Sequence, residues 1–285
     1  MRRSKRAHQD RRALLSVEAD PKTVKGIPFG YLTGVLYLAP AKSAGVGNVC
    51  PFASVGCETS CLDTAGRGAG RNVVADGIHA ARQRKTRYFM QDREEFFRHL
   101  AWDIEGLALK SERRGLVPAV RLDGTADIKW ESQRFGPERK TIFETFPNVQ
   151  FYDYTKWPAD KRAEIPANYH LTHSRSEDNE QMILDALAFG RSVAVVFSTP
   201  TKSGKRPAGK LPLTWNGYEI VDGDESDLRF LDRPGSVVGL RAKGKAQNDD
   251  SGFVVQVKEG EEHVISSNDY QQLVAKMEAR VIEFA

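Results

Sequence analysis

Six short runs of β-favouring residues recur along this chain of 285 residues: Tyr31–Leu38, Val117–Leu122, Val149–Tyr154, Tyr169–His173, Ser192–Phe197 and Val237–Arg241. The connections between them are long enough for crossovers, which parallel strands require, and several have helical character. A helix is expected from about Asn72 to Phe89. A second is expected to start at Asp92, with Glu95 completing a capping box, and to place Phe96, Phe97, Leu100, Ala101, Ile104 and Leu107 on one face before stopping near Gly115. A third spans Glu177–Phe189, with Ser176 as N-cap and Gly190 beyond its end. Strands alternating with helical crossovers predict an α/β protein with a parallel sheet. Residues 200–235, rich in Pro, Gly and charge, read as a long insertion after the fifth strand, and residues 260–285 as a C-terminal helical segment.

Charge separates the chain into an arm and a body. The first twelve residues carry Arg2, Arg3, Lys5, Arg6, Arg11 and Arg12 against Asp10 alone, out of totals of 42 basic and 38 acidic residues. That leaves 36 basic and 37 acidic residues in the other 273, so the body is neutral and the pI of 8.9 reports the arm. Residues 1–20 are therefore expected to form a basic disordered arm, and 21–285 a single α/β domain. The arm is a candidate contact for nucleic acid or a host protein, or simply a solvated tail. The apolar run after it, Ala13–Val17, is too short for a signal-peptide core, and no later stretch approaches the ~18 apolar residues of a membrane span. A cytoplasmic protein without membrane association is expected.

All three cysteines, Cys50, Cys57 and Cys61, fall within twelve residues, in a loop that follows the first predicted strand. An odd number of clustered thiols in such a chain argues for metal rather than for a disulfide framework. Zinc needs a fourth ligand, for which His79, His170 or His173 are available; a [4Fe-4S] cluster can be held by three thiolates with one iron left open. Structural or redox thiols are the remaining reading.

In parallel α/β folds, functional groups collect beyond the carboxyl ends of the strands. The second run ends in Arg121–Asp127, the third in Asp153–Lys156, the fourth in Thr172–Arg175 and the sixth in Arg241–Gly244. Asp123, Asp127, Asp153, Lys156, His173 and Arg241 are thus the candidate cofactor-binding residues around the cysteine loop, with Tyr152, Tyr154 and His173 as geometric candidates for catalysis. Each taken singly also reads as a polar loop residue paired with a neighbour. The acidic stretch Asp222–Asp232 fits no EF-hand spacing and reads as a solvated loop, or as a holder of a cationic or hydroxyl-rich ligand. The basic run Arg82–Arg87 is either a phosphate-contacting helix face or a solvated one. No phosphate loop, nucleophile elbow or His-Glu-x-x-His motif occurs.

Four of these segments carry a resemblance. Asn48–Cys57 with Cys61–Leu62, Val120–Ile128, Gln150–Lys156 and Asp222–Glu225 with Arg229–Asp232, in this order over about residues 20–255, resemble the phage gene product 88 family, a domain of unknown function that implies little biochemistry. More distantly, the layout is similar to the radical S-adenosylmethionine superfamily. That resemblance implies a partial (βα)6 TIM-like barrel whose first strand leads to a [4Fe-4S] cluster on Cys50, Cys57 and Cys61. It also implies S-adenosylmethionine on the open iron and its reductive cleavage to a 5′-deoxyadenosyl radical. The spacing here is Cys-x6-Cys-x3-Cys instead of Cys-x3-Cys-x2-Cys, and Asp123-Gly124 stands where that superfamily has Gly-Gly-Glu.

Overall fold

The computed structural model describes residues 12–70, 72–162, 164–199 and 209–257. Its ten strands are β1 (Leu15–Val17), β2 (Tyr31–Leu36), β3 (Val117–Arg121), β4 (Gln150–Thr155), β5 (Tyr169–Ser174), β6 (Val193–Ser198), β7 (Thr214–Trp215), β8 (Tyr218–Asp222), β9 (Val237–Arg241) and β10 (Val255–Gln256). They form one sheet in the order β1-β2-β3-β4-β5-β6-β9-β8-β7. From β2 to β8 every pairing is parallel; β1 and β7 join the two edges antiparallel. The first two residues of β6 pair with β5, and β10 pairs alongside its last two. The protein is therefore a mixed α/β fold on a large, mostly parallel sheet.

The helices are α1 (Pro21–Val24), α2 (Val55–Thr59), α3 (Val73–Gln91), α4 (Arg93–Arg113), α5 (Ile142–Thr145) and α6 (Glu180–Ala188). Asn72 caps α3 by accepting from the backbone N–H groups of Val74 and Ala75. Phe96, Phe97, Leu100, Ile104 and Leu107 recur at helical spacing on α4, and all are buried against β2, β3 and β4 together with Trp130, Phe143 and Phe151. No helix among the described residues is long and apolar enough to cross a membrane.

Several sequence expectations change. Where a partial (βα)6 TIM-like barrel is expected, the described strands form a large open sheet. The crossovers from β3 to β4 and from β4 to β5 hold only α5 and 3-10 turns. They contain Pro137, Pro147, Pro158 and Pro166, each lacking an N–H and disfavouring helix in the residue before it. The region read as an insertion contributes β8 to the sheet, because Tyr218, Ile220 and Val221 pack against the apolar β9 and its surroundings. The arm ends earlier than residue 20: Leu14 and Leu15 are buried, and β1 pairs with β2. Residues 1–11 and the expected helical segment 260–285 lie outside the described residues. Asp92 precedes α4 without a side-chain cap, and Glu95 pairs with Arg98 instead of closing a capping box. Helix α6 starts after Asn179, since Ser176 and Glu177 are engaged elsewhere.

The open sheet is strongly curled. Gly26 packs on Thr33 of β2, and the ammonium of the adjacent Lys25 meets the backbone oxygen of Asp224, two residues past β8. In a flat sheet β2 and β8 would lie six strand spacings, about 29 Å, apart. The segment after β8 crosses the face of β2, β3 and β4 opposite to α4. Phe230 packs edge-on against both Tyr31 and Tyr152, with ring centroids 5.1 and 5.5 Å apart. Asp227 takes two contacts of 3.0 and 3.1 Å from Arg121 Nη1. Both partners of this ion pair are nearly inaccessible, so each is costly without the other. Asp227→Ala should therefore destabilise the fold by about 3–5 kcal/mol in urea unfolding, and pairing it with Arg121→Met should restore most of the loss. A single-variant loss below about 1 kcal/mol would contradict this role.

Candidate functional site

The three cysteines lie beyond the carboxyl end of β2, on a segment that crosses the rim of the curled sheet. Near β3, the backbone N–H of Asp127 donates to Val49 O at 2.9 Å, and Cys50 Sγ lies 3.9 Å from Thr125 O. Near β5, Glu177 accepts from Gly56 N–H at 2.7 Å and from Ser54 Oγ at 2.8 Å. Ser54 in turn caps α2 by accepting from Cys57 N–H. Beyond β9, Ser60 Oγ donates to Asp249 at 2.9 Å. Gly56 is required by this packing, because a Cβ there would lie 2.2 Å from Ser251 Oγ and 2.8 Å from Phe253 Cβ. The segment is thus pinned to three strand ends.

All three thiols are free and half-buried. Burial pushes the Cys50 thiol up to about 12 and the Cys61 thiol up to about 11, opposed by backbone N–H donors from Ala41 and Asp63 at 3.3 and 3.5 Å from the sulfurs. Cys61 contributes to the shift of Cys50, and Cys57 to that of Cys61, so the three share one electrostatic neighbourhood. As placed, however, no three His, Cys, Asp or Glu side chains among the described residues converge as a metal would require. The donor set suits an iron–sulfur cluster, and N–H groups aimed at the sulfurs are the kind of outer-shell contact that tunes one. Holding a metal requires the thiols to turn toward one another.

The other sequence candidates fall into distinct places. Asp123 and Asp153 are buried beneath the rim. Asp123 accepts from Ile128 N–H and Trp130 Nε1, while Asp153 accepts from Asp123 N–H at 2.6 Å and Tyr169 Oη at 2.9 Å. Burial pushes Asp153 up to about 7; burial and the neighbouring carboxylates raise Asp123 well above its ordinary range. Asp127 lies beside Cys50. Its Oδ2 accepts from Lys156 N–H at 2.8 Å, while its buried Oδ1 has no hydrogen-bond partner, with Arg162 Nη1 at 3.6 Å. Lys156 donates to Ser174 Oγ and lies over Phe253, close enough for its charge to favour the Cys61 thiolate. His173 is buried with Nδ1 unpartnered, and burial lowers it to about 4. Arg241 stands apart from these, held by Asp222 and Asp224 at 2.8 and 3.2 Å. Asp127 therefore lies by Cys50 and Lys156 by Cys61, with Asp123 and Asp153 buried beneath, without the three cysteines converging on one point.

Tyr152 and Tyr154 face the segment after β8, away from the cysteines; Tyr152 Oη lies 3.3 Å from Asp227. His79 has Nδ1 on Asp63 at 3.0 Å and Nε2 on Gly68 O at 3.1 Å, so both ring nitrogens are occupied. The basic run is neither a free phosphate face nor merely solvated: Arg82 pairs with Asp63, Lys85 donates to Leu14 O and Arg87 to Ala44 O. The acidic stretch is likewise no solvated loop, since its Asp227 and Arg229 are buried. Arg162 escaped the sequence reading altogether. It is 4% exposed and binds Glu131 at 2.8 and 2.6 Å and Thr155 at 3.0 Å, partners no local motif announces.

Fold and site together define a curled, open α/β protein with three free thiols pinned across its strand-end rim. The family model for Gene product 88 matches residues 5–257, and the chain belongs to that family. Neither the curated proteins nor the solved structures contain a match to it.

Two measurements check this description. Glu177→Ala removes both charged ties to the cysteine segment and should cost about 2 kcal/mol. It should also accelerate alkylation of Cys57; an unchanged alkylation rate would show that the tie does not hold the segment. Asp153 is held neutral in the fold above its ordinary value of 3.8. Its contribution to stability is full below pH 3.8 and is lost as pH rises toward about 7, because the folded state retains a proton that the unfolded chain releases. Asp153→Asn should remove that part of the decline, and an unaltered pH profile would contradict the assignment.

Proposed function

We propose that this chain is an iron–sulfur protein in which Cys50, Cys57 and Cys61 ligate three irons of a [4Fe-4S] cluster at the rim of the curled sheet. The observation that carries the reading is the placement of three free thiols, linked pairwise through their electrostatics, on one short segment pinned to three strand ends. Such a cluster supplies one-electron chemistry and an open iron, for which the amine and carboxylate of S-adenosylmethionine are suitable ligands. On this reading Asp127 Oδ1, which lacks a hydrogen-bond donor and faces Arg162 Nη1 at 3.6 Å, accepts from an ammonium group, and Lys156 offsets the negative charge of the thiolates. The segment Ser54–Cys61 keeps water from the sheet side of the site. Zinc through His79 is disfavoured by the engagement of both its ring nitrogens.

A second reading is a cluster-bearing module without catalysis that contacts nucleic acid or a host protein. It is favoured by the full internal engagement of Asp123 and Asp153 and by the pairing of Arg241 with Asp222 and Asp224, which leave fewer groups for a substrate.

Anaerobic purification followed by iron, sulfide and zinc analysis separates cluster from zinc. The proposal expects iron and sulfide in equal amounts, absorbance near about 400 nm from Fe–S charge transfer, and loss of both on Cys50→Ala or Cys61→Ala. Stoichiometric zinc without sulfide would overturn it. Dithionite with S-adenosylmethionine should then yield 5′-deoxyadenosine; no product and no change in the cluster's EPR signal would leave the module reading in its place.

A further inference from the structure

A second polar cluster lies inside the curl, on the face covered by the segment after β8. Tyr152 stands beside His170, and Tyr154 beside Thr172, on the register of β4 and β5. Arg229 reaches this face and is 1% exposed. Its Nη2 donates to Ser226 O at 2.5 Å. Its Nε and Nη1 have no hydrogen-bond partner, although Asp232 Oδ2 lies 3.2 Å from Nη1 and offsets the charge. The Nε2 atom of His170 and the Oγ1 atom of Thr172, a residue with no exposed surface, are buried without partners as well. Arg229 is close enough to act on the titration of both His170 and Tyr154. Gly223 makes room for the guanidinium, since a Cβ there would lie 2.9 Å from Nη1.

Buried donors without acceptors cost about 1–3 kcal/mol each, and folded proteins keep few of them. Here several such atoms fall on the β4–β5 face that Arg229 reaches. The guanidinium Nε–H can only donate, the Thr172 hydroxyl and the His170 ring, protonated on Nε2, can donate to the same acceptor, and Asp232 Oδ2 stands opposite Nη1. Such a set is complemented by a ligand that brings acceptors and negative charge, and guanidinium groups suit carboxylate and phosphate in particular. The unpartnered atoms themselves are shielded from solvent, while His170 and Tyr154 beside them are half-buried, so the edge of the patch reaches the surface.

We propose that Arg229, His170 and Thr172 form a binding site for a small oxyanion, a carboxylate or phosphate group, inside the curled sheet. This site is separate from the cysteine rim and does not depend on a cluster being bound there.

The test is isothermal titration of the full chain, in chloride buffer, with inorganic phosphate and separately with acetate and succinate. Saturable one-to-one binding of at least one of them is expected, weakened tenfold or more by Thr172→Val and by His170→Phe in variants whose circular dichroism melts match the parent. Arg229→Lys should weaken it further; should that variant fail to fold, the other two still decide. Phosphate binding without carboxylate binding identifies a phosphoryl ligand, and the reverse a carboxylate. The proposal is overturned if none of the three anions binds, which would leave water as the partner of these groups. It is equally overturned if Thr172→Val and His170→Phe bind as tightly as the parent.

Discussion

The crossing of the segment after β8 over the face of β2, β3 and β4 is the constraint on which the rest of the molecule depends. A parallel sheet twists by default, but twist alone does not bring its two edges together. Here the Arg121–Asp227 pair and the insertion of Phe230 between Tyr31 and Tyr152 tie the far end of the sheet to its beginning. With the sheet curled, the carboxyl ends of β3, β5 and β9 come within reach of one short stretch of chain, and Val49–Cys61 bridges them. The cysteine rim is therefore a consequence of curvature as much as of local sequence.

The same curvature produces two chemically different environments. On the rim, carboxylates and a lysine lie near the Cys50 and Cys61 thiols, whose ionisation burial opposes, and the supporting Asp123–Asp153 pair is kept short of full ionisation beneath them. Inside the curl, arginines and tyrosines dominate, with Asp227 and Asp232 as counterions. The burial of Arg229 with incomplete hydrogen bonding is tolerable only because neighbouring carboxylates compensate its charge.

The strand pattern was legible because apolar runs bounded by turn residues are a local signal, and all six runs appear as parallel strands in chain order. Helices α3 and α4 were legible for the same reason, since the helical pattern is written within each segment, although the capping box expected for α4 does not form. What escaped depends on partners distant in sequence. Tyr218–Asp222 looks like part of a polar insertion until β9 lies beside it. Glu177 looks like a first-turn acid of a helix until the cysteine segment lies across it, which is why α6 starts later than expected. Arg162 is a buried structural centre with no motif around it. The cysteine cluster was visible from spacing alone, yet spacing does not orient side chains, and the thiols as placed do not point to one centre.

The central claim, that the three cysteines hold a cluster with one iron free of protein thiolate, is tested most directly by Mössbauer spectroscopy of the anaerobically purified, ⁵⁷Fe-enriched protein. The account predicts the signature of a [4Fe-4S]²⁺ cluster in which one iron site is distinct and shifts when S-adenosylmethionine is added. Protein without bound iron, or with only mononuclear iron that persists after all three cysteines are replaced, would contradict it.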